Sequence, residues 1–312
     1  MNLNTIHPGV ISVYYIILIL FSLLFNNIYY LVSLLIFIIL LIYLQGGEKE
    51  IGSTLKYFIP MSLIIIILNP LFSHVGTTKI YLFNNLFNNT FNNYFITLES
   101  LVYGFLMAFS LLIILLLFLS FNKYVDYQKI LYLTSNHFST VSMIGVMAMR
   151  FIPLLNYRLG EVNKIFKFNH DNSNEKRIDK VRKMGSMLAI VISWSLEESM
   201  LTAKSMKARG YGITERTSYL KYNIHKIDII IILIIAITSI LSLIGLYYGF
   251  GNIEIYPTLD TSFFEFPLNM YYIIFLFLLS PLIFLELMER ILWKYNGKNY
   301  VNGGKYGTNK IQ

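Results

Sequence analysis

Residues 101–121 read LVYGFLMAFSLLIILLLFLSF and contain no charged side chain. A helix rises about 1.5 Å per residue, so about 20 apolar residues cross the hydrocarbon core of a bilayer. Inside lipid each backbone amide and carbonyl needs a partner within the protein, and a helix supplies one for nearly all of them. This stretch therefore predicts a transmembrane helix, and it decides the fold class of the chain.

Five further stretches have a similar length and composition, and they cover residues 9–25, 28–44, 55–72, 229–248 and 270–287. The stretch 55–72 is the weakest, because Asn69-Pro70 must break or end a helix there. A re-entrant segment is its alternative interpretation. Hydrophobic residues make up 56% of the chain and charged residues 13%, against about a quarter in soluble domains. We predict an all-α integral membrane protein with about six transmembrane helices.

The Lys and Arg residues are distributed unevenly among the connections. Of 25 in the chain, 17 lie in residues 122–227 and five in the C-terminal tail, whereas two lie in 45–56, one in 73–97 and none in 250–267. Positive residues stay preferentially on the cytoplasmic side of a membrane. We therefore predict a multi-pass protein of a bacterial cell membrane, with both termini and residues 122–227 in the cytoplasm. The net charge of +8 thus indicates topology rather than nucleic-acid binding.

This topology divides the chain into four predicted regions. They are N-terminal transmembrane helices in 1–121, a long cytoplasmic insertion of amphipathic helices in 122–227, C-terminal transmembrane helices in 228–290 and a basic cytoplasmic tail in 291–312. The insertion is too long for a turn and too patterned for disorder. Its pattern predicts helices over 124–167 and 175–209, and Pro153 predicts a kink or a helix start. If residues 55–72 are re-entrant, the side assigned to the N-terminus changes.

The last helix of the insertion has one apolar and one polar side. Its apolar stripe consists of Leu196, Met200, Ala203 and Met206, and its opposite side carries Glu198, Thr202, Ser205 and Arg209. The stripe predicts a core contact or a contact with the membrane surface. Gly210 and Gly212 can end a helix through a left-handed cap, so Arg209 is expected to project from the helix end.

These residues resemble a known family. The runs WSLEE at 194–198, AKSMKARGYG at 203–212 and RTSY at 216–219 are similar to the second coupling-helix signature of the transmembrane subunit of energy-coupling factor (ECF) importers. The run MRFIP at 149–153, with Arg150 and Pro153, resembles the opening of the first coupling helix.

Further blocks at 7–8, 69–76 and 97–104 look like a clostridial-type branch of the same family. The resemblance thus covers most of residues 7–228. It implies a scaffold that binds two cytoplasmic ABC-type ATPase subunits and a small membrane S component, which in turn binds the imported vitamin or metal ion. The scaffold would hold no cofactor and catalyse no reaction, because ATP and Mg bind to the ATPases.

The resemblance also implies which residues meet the ATPases. Ala208, Arg209 and Gly210 match the second coupling motif, supported by Glu197 and Glu198 in the same helix. The ungapped equivalent in the first coupling helix is Phe168-Asn169-His170, with Asn169 where many relatives carry Arg. An amide lacks the planar cationic fork of a guanidinium, so the two contacts should differ. This inequality predicts a heteromeric ATPase pair.

The sequence lacks the motifs of several other kinds of functional site. No Gly-x-x-x-x-Gly-Lys-Ser/Thr run is present, so ATP hydrolysis is assigned to partners. The chain has no Cys, and its five His lie on different loops and helix ends without an i, i+4 pair that suits a metal. Glu197-Glu198 invites comparison with intramembrane proteases that use a Glu-Glu-x-x-x-Arg motif, but Thr202 stands at the Arg position.

A stand-alone secondary transporter or channel with regulatory cytoplasmic helices is the main alternative function. Such proteins place charged residues inside their spans, whereas the spans here are nearly free of them and Glu286 lies close to an end. A membrane enzyme is the third possibility, and it lacks a convergent catalytic set. Gly104 and Ala108 form a small-x-x-x-small pair that predicts either docking of the S component or internal packing.

Overall fold

The computed structural model describes residues 7–73, 76–82, 95–135, 138–169, 177–213, 222, 224–253, 267 and 269–307. Within this part of the chain there are nine helices and one pair of short strands. In chain order they are α1 (Pro8–Leu24), α2 (Ile28–Leu44), α3 (Glu48–Phe72), β1 (Lys79–Leu82), β2 (Phe95–Thr97), α4 (Leu98–Tyr124), α5 (Tyr127–Ser135), α6 (Ser139–Asn169), α7 (Arg177–Ala208), α8 (Lys226–Tyr247) and α9 (Met270–Gly307). The antiparallel pair β1–β2 is the one departure from an all-α fold among the described residues.

The chain divides into two compact units. One, the helical bundle, comprises Met1–Asp126 and Tyr222–Gln312 and contains α1 to α4, α8 and α9. The other, the α5–α7 unit, comprises Tyr127–Lys221.

Five of the described helices are long and apolar enough to cross a membrane, namely α3, α4, α6, α8 and the Met270–Met288 part of α9. Several such helices in one chain indicate a multi-pass membrane protein. Two outcomes differ from the sequence prediction. Helices α1 and α2 have 17 residues each and are shorter than these five, and α6, the least apolar of the five, was not among the predicted spans.

The weakest predicted span is a continuous helix. Helix α3 has 25 residues, with Pro60 and Pro70 inside it, and ends at Phe72, where the Ser73 amide donates to the Asn69 carbonyl. At about 1.5 Å per residue this length exceeds the hydrocarbon thickness. Asn69-Pro70 therefore lies in the last turn and ends α3 without breaking it, so residues 55–72 form part of a continuous helix that is long enough to span.

The two short helices form the centre of the bundle. In α1 and α2 a set of large side chains is almost fully buried, including Tyr14, Tyr15, Phe21, Tyr30, Ile38 and Leu41. The rings of Phe25 and Tyr30 stack with centroids 4.6 Å apart, and Phe275 of α9 meets Phe25 edge to face at 5.2 Å. In lipid such close packing holds helices together, because the solvent is as apolar as the side chains.

Polar side chains join the same helices near one end of the bundle. The Tyr15 hydroxyl lies 2.7 Å from the Ser120 hydroxyl, and the Gln45 amide donates to Ser120 at 2.8 Å. Tyr124 at the end of α4 donates to the Glu286 carboxylate of α9. Hydrogen bonds of this kind satisfy groups that would be costly to leave unpaired away from water. Glu286, the acid predicted near a span end, therefore has a partner inside the bundle.

The small residues of α4 face α3. A Cβ built on Gly104 would lie 3.1 Å from the Asn69 Cβ and 3.4 Å from the Ile66 Cα, and Ala108 is buried. Glycine lets the two backbones approach closely at this point. Of the two predicted roles of this pair, the structure favours internal packing.

Candidate functional site

The end of α7 is a left-handed cap of the predicted kind. The Tyr211 amide donates to the Met206 carbonyl and the Gly210 amide to the Lys207 carbonyl, both at 3.1 Å, which is the Schellman pattern. Gly210 has φ +82°, a backbone conformation that side-chain-bearing residues rarely adopt. The prediction that glycine ends this helix is confirmed, and Arg209 is the residue at its cap.

Arg209 is exposed on this helix end. Within the described residues no hydrogen bond or ion pair engages its guanidinium, and the neighbouring Ala208 is exposed as well. The carboxyl end of a helix carries a partial negative charge, which favours a cation there by about 0.3–1 kcal/mol. That effect accounts for a basic residue at the position, and it leaves all five donors of the guanidinium available for another molecule.

The first predicted triplet also ends a long helix. Asn169 is the last residue of α6, and the preceding Phe168 side chain is 90% exposed. The Asn169 side chain and the whole of His170 lie outside the described residues. Phe168 and Asn169 are therefore the last two residues of the 31-residue α6, and Ala208 is the last residue of the 32-residue α7.

An ion pair joins α6 to α7. The Arg158 Nη2 lies 2.8 Å from the Glu198 Oε2, and the Arg158 guanidinium stands 5.7 Å above the centre of the Trp194 ring. Val162 of α6 and Val191 of α7 are buried. Such a pair, partly shielded from water, is stronger than a fully exposed one and holds one helix against the other.

An open groove surrounds this ion pair. It is lined by Arg158, Glu161, Trp194, Glu197, Glu198 and Leu201. Three carboxylates and one guanidinium make the groove acidic, with a net charge of −2. The two adjacent acids of the sequence therefore have different environments. Glu198 binds Arg158, whereas Glu197 is exposed at the groove.

The two residues that open the first predicted coupling helix lie inside α6. That helix begins at Ser139, well before Arg150, and continues through Pro153 to Asn169. The prediction that Pro153 starts a helix is wrong. Proline lacks an amide proton, so it removes one backbone hydrogen bond from the helix interior at this point. Arg150 and Pro153 are both exposed.

The predicted apolar stripe of α7 faces away from α6. Leu196, Met200 and Ala203 are exposed and Met206 is half-buried, whereas on the opposite side Thr202 is half-buried, as is Glu198, which binds Arg158 of α6. The core interpretation of the stripe is therefore wrong for Leu196, Met200 and Ala203. Periodicity shows which side chains share a face, and it does not show which face meets a neighbour.

A second polar cluster lies at the start of α4, and the sequence analysis missed it. Glu99 is fully buried, and its carboxylate accepts hydrogen bonds from the Thr77 and Thr78 amides at 3.2 and 3.1 Å and from both threonine hydroxyls. Nearby, the Asn69 amide donates to the Ser100 carbonyl at 3.3 Å. The blocks 69–76 and 97–104, which the sequence analysis quoted separately, therefore meet.

No group of three or more His, Cys, Asp or Glu suited to a metal ion occurs among the residues that the structure describes. No protein-family model matches the chain, and no curated protein matches it.

Proposed function

We propose that the chain is the transmembrane coupling subunit of an ECF importer. Its task would be to transmit the ATP-driven motion of two ABC-type ATPase subunits to a membrane-embedded S component that carries a vitamin or a metal ion. The observation that carries this proposal is the exposed Arg209 at the Schellman-capped end of α7.

The geometry of Arg209 suits insertion into a partner. Its guanidinium is a planar fork that can bind a carboxylate through two parallel, charge-assisted hydrogen bonds. The cap sets the direction of the chain at Gly210, so the side chain leaves from a defined helix end. Desolvation in a partner's groove would make loss of this side chain cost about 2–5 kcal/mol where its partner is an acid that is left buried.

Helices α6 and α7 are suited to act as levers. At about 1.5 Å per residue, a 32-residue helix is about 48 Å long. The Arg158–Glu198 pair ties the two helices together, so displacement of one by an ATPase is shared with the other. In this proposal closure of the ATPase pair on ATP moves both helices and reorients the S component.

The two helix ends differ in charge, and this difference bears on the partners. Arg209 is a cation, whereas Asn169 is neutral and is preceded by the exposed Phe168. A groove that suits a guanidinium would leave acidic groups unpaired opposite an amide. We therefore propose a heteromeric ATPase pair, and recovery of one ATPase type in both positions would contradict it.

The proposed topology keeps the α5–α7 unit in the cytoplasm. Helix α6 is long enough to span, but it carries Arg150 and Arg158 along its length, and charged side chains are expensive inside hydrocarbon. The buried carboxylates Glu99 and Asp228 lie in the first turns of α4 and α8. Neither stands at mid-span, where a transporter driven by an ion gradient would be expected to have one.

The decisive experiment is purification of the tagged protein from its native membrane with Arg209→Glu. We expect the variant to insert in the membrane normally and to lose the ATPases, because the substitution replaces a cation by an anion at the contact. Lys204→Glu is the matched control, since it makes the same change of charge at an exposed position of α7.

The proteins recovered with the unsubstituted chain separate the proposed function from its main alternative. Two ABC-type ATPases and one small hydrophobic subunit agree with the proposal. A lone oligomer would instead favour a stand-alone transporter or channel. Equal recovery of ATPases with Arg209→Glu and with the unsubstituted chain would contradict the assignment of Arg209 to the ATPase contact.

A further inference from the structure

The N-terminal half of α7 has an exposed apolar face. The residues at i, i+3, i+7, i+10 and i+14 of this half are Ile178, Val181, Gly185, Leu188 and Ile192. This spacing places all five on one side of the helix. Ile178 and Val181 are 79% and 72% exposed, and Leu188 and Ile192 are exposed as well.

A neighbouring side of α7 is the one that packs. Val191 is buried, and Met187 and Ser195, which lie four residues before and after it, are half-buried. The packed side therefore runs along Met187, Val191 and Ser195, about a quarter of a turn around the helix from the exposed face of Ile178 to Ile192. In the described residues α7 thus presents large aliphatic side chains outward.

The same half of α7 is strongly basic. Residues 177–192 contain four Lys or Arg and one acid, Asp179, which gives a net charge of +3. Lys180 and Arg182 are exposed, and no acid among the described residues pairs with either. The cytoplasmic leaflet of a membrane carries anionic lipid, which attracts basic residues next to it. A long Lys or Arg stem can lie along an apolar surface while its charged head reaches the lipid phosphates.

We propose that residues 178–192 form an interfacial helix that lies on the anionic lipid surface. Its apolar face would enter the boundary between headgroups and acyl chains, and Lys180 and Arg182 would pair with lipid phosphates. An apolar face flanked by basic residues is the composition of helices that bind membranes in this way.

The connectivity of the chain strengthens this binding. The α5–α7 unit is joined to the bundle at both ends, through α4 and α8, two helices that are long and apolar enough to span. A tethered helix meets the membrane at a high effective concentration, so a weak affinity is sufficient. The inference goes beyond the proposed coupling function and does not depend on it, since it concerns lipid and the amino half of α7 rather than an ATPase and Arg209.

Single-cysteine labelling tests this contact, because the chain has no native cysteine. Val181→Cys and Asp179→Cys are prepared in the full-length protein, labelled with a polarity-sensitive fluorophore and placed in nanodiscs that contain phosphatidylglycerol and a shallow brominated lipid. We expect quenching and a blue shift at Val181 and little of either at Asp179, which lies off the apolar face. Equal, weak quenching at the two positions would overturn the proposal and would leave the ATPase prediction for Arg209 untouched.

The charge contribution is tested with neutral substitutions. Lys180→Gln together with Arg182→Gln should shift the equilibrium away from the membrane-bound helix by about 30-fold, since each basic residue contributes about a five- to sixfold factor near an anionic surface. The Val181 label should then lose its quenching.

Lys204→Gln with Lys207→Gln is the matched control, and in this variant the Val181 label should stay quenched. Unchanged quenching in the first variant, or equal quenching in phosphatidylcholine discs, would show that lipid charge does not hold the helix. If the brominated lipid does not quench the Val181 label and an aqueous quencher does not reach it either, protein covers the apolar face of α7. That result would also overturn the proposal.

Discussion

The buried carboxylate of Glu99 offers a sharp test of the bundle's stability. Among the residues that the structure describes, the Glu99 carboxylate forms no ion pair and instead accepts hydrogen bonds from the amides and hydroxyls of Thr77 and Thr78. Gly76, at φ +144°, passes so close that a Cβ there would lie 2.6 Å from Glu99 Oε2. The carboxylate thus holds the chain before β1 against the first turn of α4.

The structure sets the size of the effect of Glu99→Ala. Two backbone amides lose their acceptor, and each unsatisfied buried donor costs about 1–3 kcal/mol. The loss of an acid from the first turn of a helix costs about 0.3–1 kcal/mol more. The threonine side chains are exposed, so water can reach the vacated space and recover part of this cost. We expect the free energy of unfolding to fall by about 2–4 kcal/mol.

Glu99→Gln is the matched comparison because it keeps the shape of the side chain. One amide oxygen can still accept from the Thr77 and Thr78 amides, and the new NH₂ group can donate to the Thr78 hydroxyl, which rotates to accept. The expected loss is about 1 kcal/mol. The measurement is unfolding of purified protein in dodecylmaltoside micelles by added SDS. If Glu99→Ala costs no more than Glu99→Gln, the carboxylate is not the group that holds this segment.

Two further predictions concern helix packing. Gly245→Ala should lower the free energy of unfolding by about 1–3 kcal/mol, because its Cβ would lie 2.8–2.9 Å from Tyr271 atoms. Gly52→Ala is the control and should raise the free energy of unfolding by about 0.4–1 kcal/mol, because nothing lies within 4 Å of its Cβ. Equal effects of the two substitutions would contradict the close approach of α8 and α9. A double-mutant cycle of Arg158→Ala and Glu198→Ala should give a coupling of about 0.5–1 kcal/mol that weakens in high salt, since the two side chains are 27% and 33% exposed. A coupling indistinguishable from zero at low salt would mean that this pair does not hold α6 to α7.

Run length and charge distribution made the membrane character of the chain predictable. An apolar run as long as residues 101–121 has few folded solutions, because its backbone must satisfy its own hydrogen bonds in lipid. The end of α7 was predictable for a similarly local reason. Gly210 can adopt the left-handed backbone conformation that a Schellman cap requires, and this depends on that residue rather than on distant ones.

The sequence predicted less well which helices lie at the centre. Helices α1 and α2 look like the other apolar runs, yet they are the shorter ones and contribute most of the deeply buried aromatic residues. An apolar side chain is equally suited to lipid and to a neighbouring helix, so composition does not distinguish the two environments. Only the packing of the bundle decides which face is covered.

What the sequence by itself determined is therefore local: the lengths of the apolar runs, the basic connections, the residues that share one face of α7 and the cap at Gly210. The tertiary structure decided which groups meet across long sequence separations. Glu99 reaches the Thr77 and Thr78 amides, and Arg158 reaches Glu198 from the preceding helix. It also turned Glu198 on the polar side of α7 toward α6 and left most of the apolar stripe exposed. Periodicity fixes the angle between side chains on one helix, whereas the choice of buried face depends on the partner that the fold supplies.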